Sequence, residues 1–134
     1  MNCDKINVME TQISENQSSI MKTIKGFSHA GRGIGLLVKT TLNARIQIVI
    51  FIIAIALGLY LHITNTEWLA IIISGGFVLS AEAFNTAIEI DMDLTSPNYH
   101  PYARDTKDLA AGAVLIAAFV AALVGLMIFV PYML

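Results

Sequence analysis

Cysteine and nucleotide-loop motifs are almost absent from this sequence, and each absence excludes a class of site. Cys3 is the one cysteine, so the sequence offers no internal disulfide and no cysteine cluster for zinc or iron–sulfur chemistry. The string GRGIG at 31–35 lacks the G-x-G-x-x-G spacing, and no G-x-x-x-x-G-K-[ST] occurs. The sequence therefore predicts a flexible helix joint at 31–35 rather than a phosphate loop.

Charge is almost absent from three long stretches of the chain. The runs 46–61 and 109–133 contain no charged residue, and 68–83 contains only Glu82. Apolar residues make up 56% of the chain, against roughly 45–50% in soluble domains. A helix needs about 20 apolar residues to cross the hydrocarbon core. The sequence therefore predicts three transmembrane spans, at about 46–64, 68–90 and 109–131.

Basic residues are missing from the 62–67 loop and from the C-terminal end. Every Lys and Arg either precedes the first span or lies between the second and third spans. Because Lys and Arg accumulate in cytoplasmic loops, we expect the N-terminus and the 92–107 loop in the cytoplasm. The C-terminus is then expected on the outer side.

The region before the first span has two parts. Residues 1–17 are polar and predict a disordered tail. Beyond them Ile24, Phe27 and Ile34 follow a helical period with basic residues beside the stripe, which predicts an amphipathic helix over about 18–41. Such a helix either lies on the inner leaflet or is a soluble helix that packs on a partner.

The third span carries a stripe of small residues. Ala113, Ala117, Ala121 and Gly125 recur every four residues, a spacing that lets membrane helices approach closely. The helix packs in this way either within the protomer or at a subunit interface. Three helices enclose a polar site poorly, so the sequence also favours an oligomer. The fold class is thus an all-α membrane protein, with one domain over 18–134.

A polar stripe on the second span carries the clearest chemical signal. On a helix, Glu82, Asn85, Glu89 and Asp93 fall within about 80° of one another. A carboxylate inside a bilayer costs about 2.5–3.5 kcal/mol and by default marks function. The structural alternative is an inter-helix network in which Glu82 is protonated and bonded to Asn85.

The neighbouring charges favour a functional site. Carboxylates on one helix face repel each other unless a cation neutralises them, and Lys107 and Asp108 stand at the start of the next span. Mg²⁺ is commonly held by one or two carboxylates together with substrate phosphates. Lys107 would then meet a phosphate as a point charge.

The amino-acid sequence of this segment resembles that of a known family. The motifs E-x-x-N-T-A-I-E at 82–89, Tyr99-His100 and K-D-x-A-A-G-A-V-L at 107–115 are similar to those of the small prokaryotic diacylglycerol and undecaprenol kinases. The resemblance extends from about Lys25 to the end of the third span. It implies three membrane helices and a surface helix per protomer, a homotrimer with shared active sites, and a multi-pass place in the prokaryotic inner membrane.

The resemblance also implies roles for individual residues. Glu82 corresponds to the catalytic base that binds the lipid hydroxyl, Asn85 supports it, and Glu89 corresponds to the carboxylate that binds the Mg²⁺ of Mg–ATP. The other nucleotide-binding positions are Lys22, Tyr99, His100, Lys107 and Asp108.

One position departs from the family pattern. Where the family usually has a second metal-binding glutamate at the end of the surface helix, this chain has Thr41. A hydroxyl is a poorer ligand for a divalent ion than a carboxylate. Either the metal affinity is reduced, or another acid such as Asp91 substitutes.

The expected function is therefore that of an ATP-dependent lipid kinase. It would transfer the γ-phosphate of Mg–ATP to diacylglycerol or undecaprenol at the cytoplasmic membrane face, in phospholipid or cell-envelope lipid recycling. No nucleic-acid partner is expected. The alternatives are a proton- or ion-coupled transport subunit that uses Glu82, and a catalytically impaired membrane scaffold.

Overall fold

The chain folds into four α-helices in a computed structural model that describes residues 3–134, with side chains from Met21 onward. The helices are α1 (Cys3–Thr40), α2 (Leu42–Leu61), α3 (Asn65–Thr95) and α4 (Pro101–Met133). The described part of the chain contains no strand, and the all-α prediction is confirmed. The helices form two units, residues 1–36 and residues 37–134.

The first unit consists of α1 up to residue 36. Its backbone is helical from Cys3, earlier than the predicted start at about residue 18. The side chains of residues 1–20 lie outside the described residues, and the polar tail over 1–17 stays a prediction. Ile24, Phe27 and Ile34 are all exposed. Whether this apolar stripe lies on a membrane stays a prediction as well.

Three helices of the second unit are long and apolar enough to cross a membrane. They are α2, α3 and α4, with mean hydropathies of 2.3, 1.5 and 3.0 over their most apolar windows. The prediction of three spans is thereby confirmed. Both α3 and α4 are longer than the apolar runs that they contain, so their polar ends extend beyond the expected spans.

The turn between α2 and α3 corrects one predicted boundary. The sequence assigns Thr64 to the first span, whereas α2 ends at Leu61 and Thr64 is the N-cap of α3. The Glu67 carboxylate accepts a hydrogen bond from the Thr64 backbone N–H at 2.7 Å, and the Thr64 hydroxyl accepts one from the Glu67 N–H at 3.4 Å. This reciprocal capping box stabilises the first turn of α3. Tyr132 of α4 also donates to Glu67, at 2.9 Å.

The bundle packs α3 along α4, with α2 mainly against α3. An apolar cluster of Ile63, Ile71 and Ile128 lies near the α2–α3 turn. Further along, a Cβ at Gly75 would overlap the ring of Phe51, so glycine is required where α2 approaches α3. These contacts align Gln47 and Thr41 on one side with the polar stripe of α3 on the other.

Candidate active site at the ends of α3 and α4

The polar stripe of α3 is buried at its centre. Glu82, Asn85 and Thr86 are 1%, 6% and 8% exposed, and they are the buried polar side chains among residues 21–134. Glu89, one turn beyond Asn85, is half-buried, and Asp93 is exposed. The stripe therefore runs from the interior of the bundle to its surface, as its helical spacing predicts.

Glu82 takes its hydrogen-bond partner from α2. The Gln47 amide Nε2 donates to Glu82 Oε2 at 3.2 Å. Sequence reasoning missed Gln47, although it is the single amide side chain in the first apolar run. That isolation was the available signal, because a lone polar group in a membrane span generally faces the bundle interior.

Asn85 bonds toward the surface rather than toward Glu82. Its amide Nδ2 donates to Glu89 Oε1 at 3.1 Å. The structural alternative of a Glu82–Asn85 hydrogen bond is therefore not what the side chains adopt. Asn85 orients the half-buried carboxylate of Glu89, and the carboxylate of Glu82 is held from the neighbouring helix.

Thr41 lies against the same stripe. Its hydroxyl is 3.2 Å from the hydroxyl of Thr86, which follows Asn85 on α3. Position 41 thus faces α3 one turn before Glu89. A longer acidic side chain at this position would extend beside the stripe. The family resemblance expects a metal-binding carboxylate here, and this chain has the Thr41–Thr86 hydroxyl pair instead. Asp91, the suggested substitute, is exposed on α3.

A cleft of about 370 Å³ lies where α3 ends and α4 begins. Its walls bring together four of the residues predicted to bind nucleotide: Tyr99, His100, Lys107 and Asp108. Of the other two predicted residues, Glu89 is not among the residues that line this cleft. Lys22 belongs to the unit of residues 1–36 and is exposed there; its role stays a prediction.

Two exposed ion pairs are formed by residues that line this cleft. Lys107 pairs with Asp93 of α3, and Arg104 pairs with Asp108 at 3.5 Å, one turn along α4. Arg104 was missed as a site residue from the sequence. Pro101 begins α4 ahead of the apolar run, where its missing N–H costs no hydrogen bond, and the added turns carry Arg104, Lys107 and Asp108 beside the end of α3.

The carboxylates of the site suit a metal that is shared with a phosphate ligand. Among residues 21–134 no three His, Cys, Asp or Glu side chains come together as a metal cage. Glu89 accepts the hydrogen bond from Asn85 through Oε1. Its second oxygen, Oε2, takes no part in that bond. Magnesium is usually bound by one or two carboxylates plus substrate phosphates and water, and this donor set fits that mode.

Three long apolar helices with a buried carboxylate between them, and a charged cleft at one end, define an integral membrane protein with a polar site. Residues 28–129 match the family model described as prokaryotic diacylglycerol kinase. Because this match covers most of the sequence, the chain belongs to the prokaryotic diacylglycerol kinase family.

Two relatives support the assignment. The chain is 34% identical over 117 residues to an undecaprenol kinase of Bacillus subtilis, a match that covers 87% of this chain and 95% of the relative. It is also 34% identical over 106 residues to a diacylglycerol kinase of Synechocystis, covering 78% of this chain and 61% of the relative. The expectation of a lipid kinase, a phosphotransferase with an alcohol acceptor, is confirmed.

Proposed function

We propose that this protein transfers the γ-phosphate of Mg–ATP to the hydroxyl group of a membrane lipid. The observation that carries the proposal is the buried Glu82 carboxylate, 1% exposed, on the same helix face as Glu89. In the proposed complex a lipid hydroxyl binds at this carboxylate while its apolar tail stays in hydrocarbon, and the nucleotide enters the charged cleft from water.

In the proposed reaction Glu82 accepts the proton of the lipid hydroxyl. The hydroxyl oxygen then forms a bond to the γ-phosphorus, the bond between that phosphorus and the β–γ bridging oxygen breaks, and ADP leaves. Phosphoryl transfer of this kind depends mainly on positioning and on charge neutralisation. Lys107 neutralises phosphate charge, while Tyr99 and His100 line the nucleotide cleft.

Glu89 is the residue proposed to hold magnesium. The ion would neutralise the phosphate oxygens of the nucleotide. Asn85, which donates to Glu89 at 3.1 Å, fixes the direction of that carboxylate. Thr41 has a hydroxyl at the position where a second carboxylate would otherwise help to bind the magnesium ion.

The preferred acceptor is undecaprenol, with diacylglycerol as the other candidate. The relative with the more complete match carries the name undecaprenol kinase, and the match covers 95% of its length. Two sequence motifs also resemble the undecaprenol kinase branch more closely. They are N-T-A-I-E at 85–89 and K-D-L-A-A-G-A-V-L at 107–115.

The membrane orientation and the oligomer belong to the same proposal. The distribution of Lys and Arg supports an N-terminus and a 92–107 loop on the cytoplasmic face of the inner membrane, with the C-terminus outside. A homotrimer would cover the large apolar side chains that the protomer exposes.

The decisive experiment supplies purified protein in detergent micelles with ATP labelled at the γ-phosphate, and with undecaprenol or diacylglycerol in parallel. Transfer of label to undecaprenol at the higher kcat/KM is expected. Transfer mainly to diacylglycerol would reverse the substrate assignment. Absence of transfer to either lipid would contradict the kinase proposal and favour a transport subunit or a scaffold.

A further inference from the structure

Three buried oxygen atoms at the centre of the site have no hydrogen-bond partner among the described residues. They are Glu82 Oε1, Gln47 Oε1 and Asn85 Oδ1. All three belong to side chains that already use their other polar atom: Gln47 donates to Glu82, and Asn85 donates to Glu89. Unpaired buried acceptors are costly, so this place is suited to receive a hydrogen-bond donor.

The contact between Gln47 and Glu82 decides which oxygen is available. An ionised carboxylate only accepts hydrogen bonds, so the amide nitrogen of Gln47 must be the group that faces Oε2. A hydrogen bond to an ionised group is stronger than one between neutral groups. Oε1 is then the remaining acceptor on Glu82.

We infer that Gln47 is a positioning residue, which holds the Glu82 carboxylate by Oε2 so that Oε1 receives the proton of the lipid hydroxyl. The inference rests on the proposed kinase function, and it gives a task to a residue of α2 that neither the sequence pattern nor the family resemblance assigns. Gln47 acts through Glu82 and need not contact the reacting atoms.

The charged groups named next, one set on each of the three helices, have other partners. On α2, the Arg45 guanidinium donates to the backbone carbonyls of Val38 and Lys39. On α3, Glu89 accepts from Asn85, and on α4 Lys107 pairs with Asp93. The described donor to Glu82 is therefore the Gln47 amide.

Two substitutions separate positioning from a merely structural role. Gln47→Leu keeps a side chain of similar size but removes the donor, and kcat should fall about tenfold or more at every pH. KM for the lipid should stay within a factor of about three, because the apolar contacts of the lipid tail are unchanged.

Gln47→Glu supplies a pH-dependent rescue. When the new carboxyl is protonated it donates to Glu82 as the amide does, whereas two ionised carboxylates at this distance repel each other. This variant should therefore approach wild-type kcat at low pH and lose activity, relative to wild type, as the pH rises. A side chain that only fills space would not produce this difference between the two pH profiles.

Ser74→Ala is the matched control. Ser74 also lies on α3, two turns before Glu82, and its hydroxyl donates to its own helix at Ile71 O, 3.3 Å away. Removing that hydroxyl should leave both kcat and the pH profile as in wild type. If Gln47→Leu fails to assemble, the isosteric Gln47→Glu still provides the test.

The outcomes distinguish the inference from the function on which it rests. Wild-type turnover together with a reduced kcat in Gln47→Leu and a pH-dependent rescue in Gln47→Glu is the expected result. Wild-type turnover with unchanged kcat and pH profiles in both variants would overturn the role of Gln47 alone. Absence of turnover in wild type with either lipid would overturn the proposed function and the inference together.

Discussion

At the residue scale, most of the proposed chemistry depends on Glu82. Glu82→Gln keeps the shape of the side chain and can still hydrogen-bond to Gln47, but an amide cannot take a proton from the lipid. We expect kcat to fall by at least ~10², with the oligomer and thermal stability retained. Initial rates and sedimentation in detergent measure both. Near-normal turnover in this variant would reject Glu82 as the base.

Thr41 allows a test of metal binding at the same scale. Its hydroxyl lies 3.2 Å from that of Thr86, beside the stripe that carries Glu89, so Thr41→Glu would add a carboxylate near the proposed magnesium site. The Mg²⁺ concentration needed for half-maximal rate should then decrease, because another carboxylate offsets the charge of the ion. Asn43→Glu, on the exposed part of α2, controls for added negative charge.

Asp91→Asn tests the competing explanation. If Asp91 has replaced the lost ligand, this variant should need more Mg²⁺ and Thr41→Glu should help little. Asp91 lies about 160° around the helix from Glu89, which favours the simple loss of a ligand instead. Identical Mg²⁺ titrations for wild type and both variants would show that neither position contacts the metal.

Single residues also show where sequence reasoning ends. Glu82, Asn85 and Glu89 could be predicted as one stripe, because helical periodicity alone fixes their shared face. Gln47 could not be paired with Glu82 in the same way, since their contact depends on how α2 packs on α3 at Gly75. That Asn85 donates to Glu89 and not to Glu82 could not be predicted either, because the choice depends on side-chain rotamers.

At the scale of elements, the α3–α4 hairpin juxtaposes the charges of the proposed nucleotide cleft. If Lys107 binds phosphate in place of Asp93, as proposed, the loss of this exposed ion pair costs at most about 1 kcal/mol. Lys107→Gln should therefore raise KM for ATP about tenfold or more, while Asp93→Asn should change it less than about fivefold. Equal effects of the two substitutions would assign the pair a purely structural role.

The α2–α3 turn supplies a prediction on stability. Thr64→Ala removes the N-cap of α3 and should lower the free energy of unfolding by about 1 kcal/mol, with kcat almost unchanged because the turn is remote from Glu82. Thermal unfolding in detergent measures the change, with the neighbouring exposed Thr66→Ala as the control. A loss of activity without loss of stability would contradict this assignment.

This turn also explains the misplaced helix boundary. The spacing Thr64-x-x-Glu67 is a capping-box signature that is readable in the sequence. Counting residues by hydropathy assigned Thr64 to the first span, because hydropathy measures solvent preference and contains no information on backbone hydrogen bonds. The start of α4 at Pro101 was missed for the same reason.

At the scale of the whole molecule, the protomer leaves much of its apolar surface exposed. Large side chains such as Phe77, Phe84, Phe119 and Met127 are more than half exposed, a surface suited to lipid or to further protomers. The number of spans could be predicted from composition, because each span must satisfy its own backbone hydrogen bonds in lipid. The partner surfaces could not, since lipid and protein present similar apolar groups.

Two alanines on the small-residue stripe of α4 allow separate tests of packing within the protomer and packing between protomers. Ala117 is 2% exposed within the protomer, whereas Ala113 on the same stripe is exposed. Ala117→Leu should overpack the bundle, lower the free energy of unfolding by about 1–3 kcal/mol and reduce activity with it.

Ala113→Leu should leave the protomer folded, and it should weaken the oligomer only if the stripe continues into a subunit interface. Sedimentation in detergent with activity measurements on both variants separates the two roles. An unaltered, active oligomer in Ala117→Leu would reject close packing at this face. Dissociation in Ala113→Leu with retained protomer stability would extend the stripe from an intramolecular contact to a contact between protomers, because position 113 is exposed within a single chain.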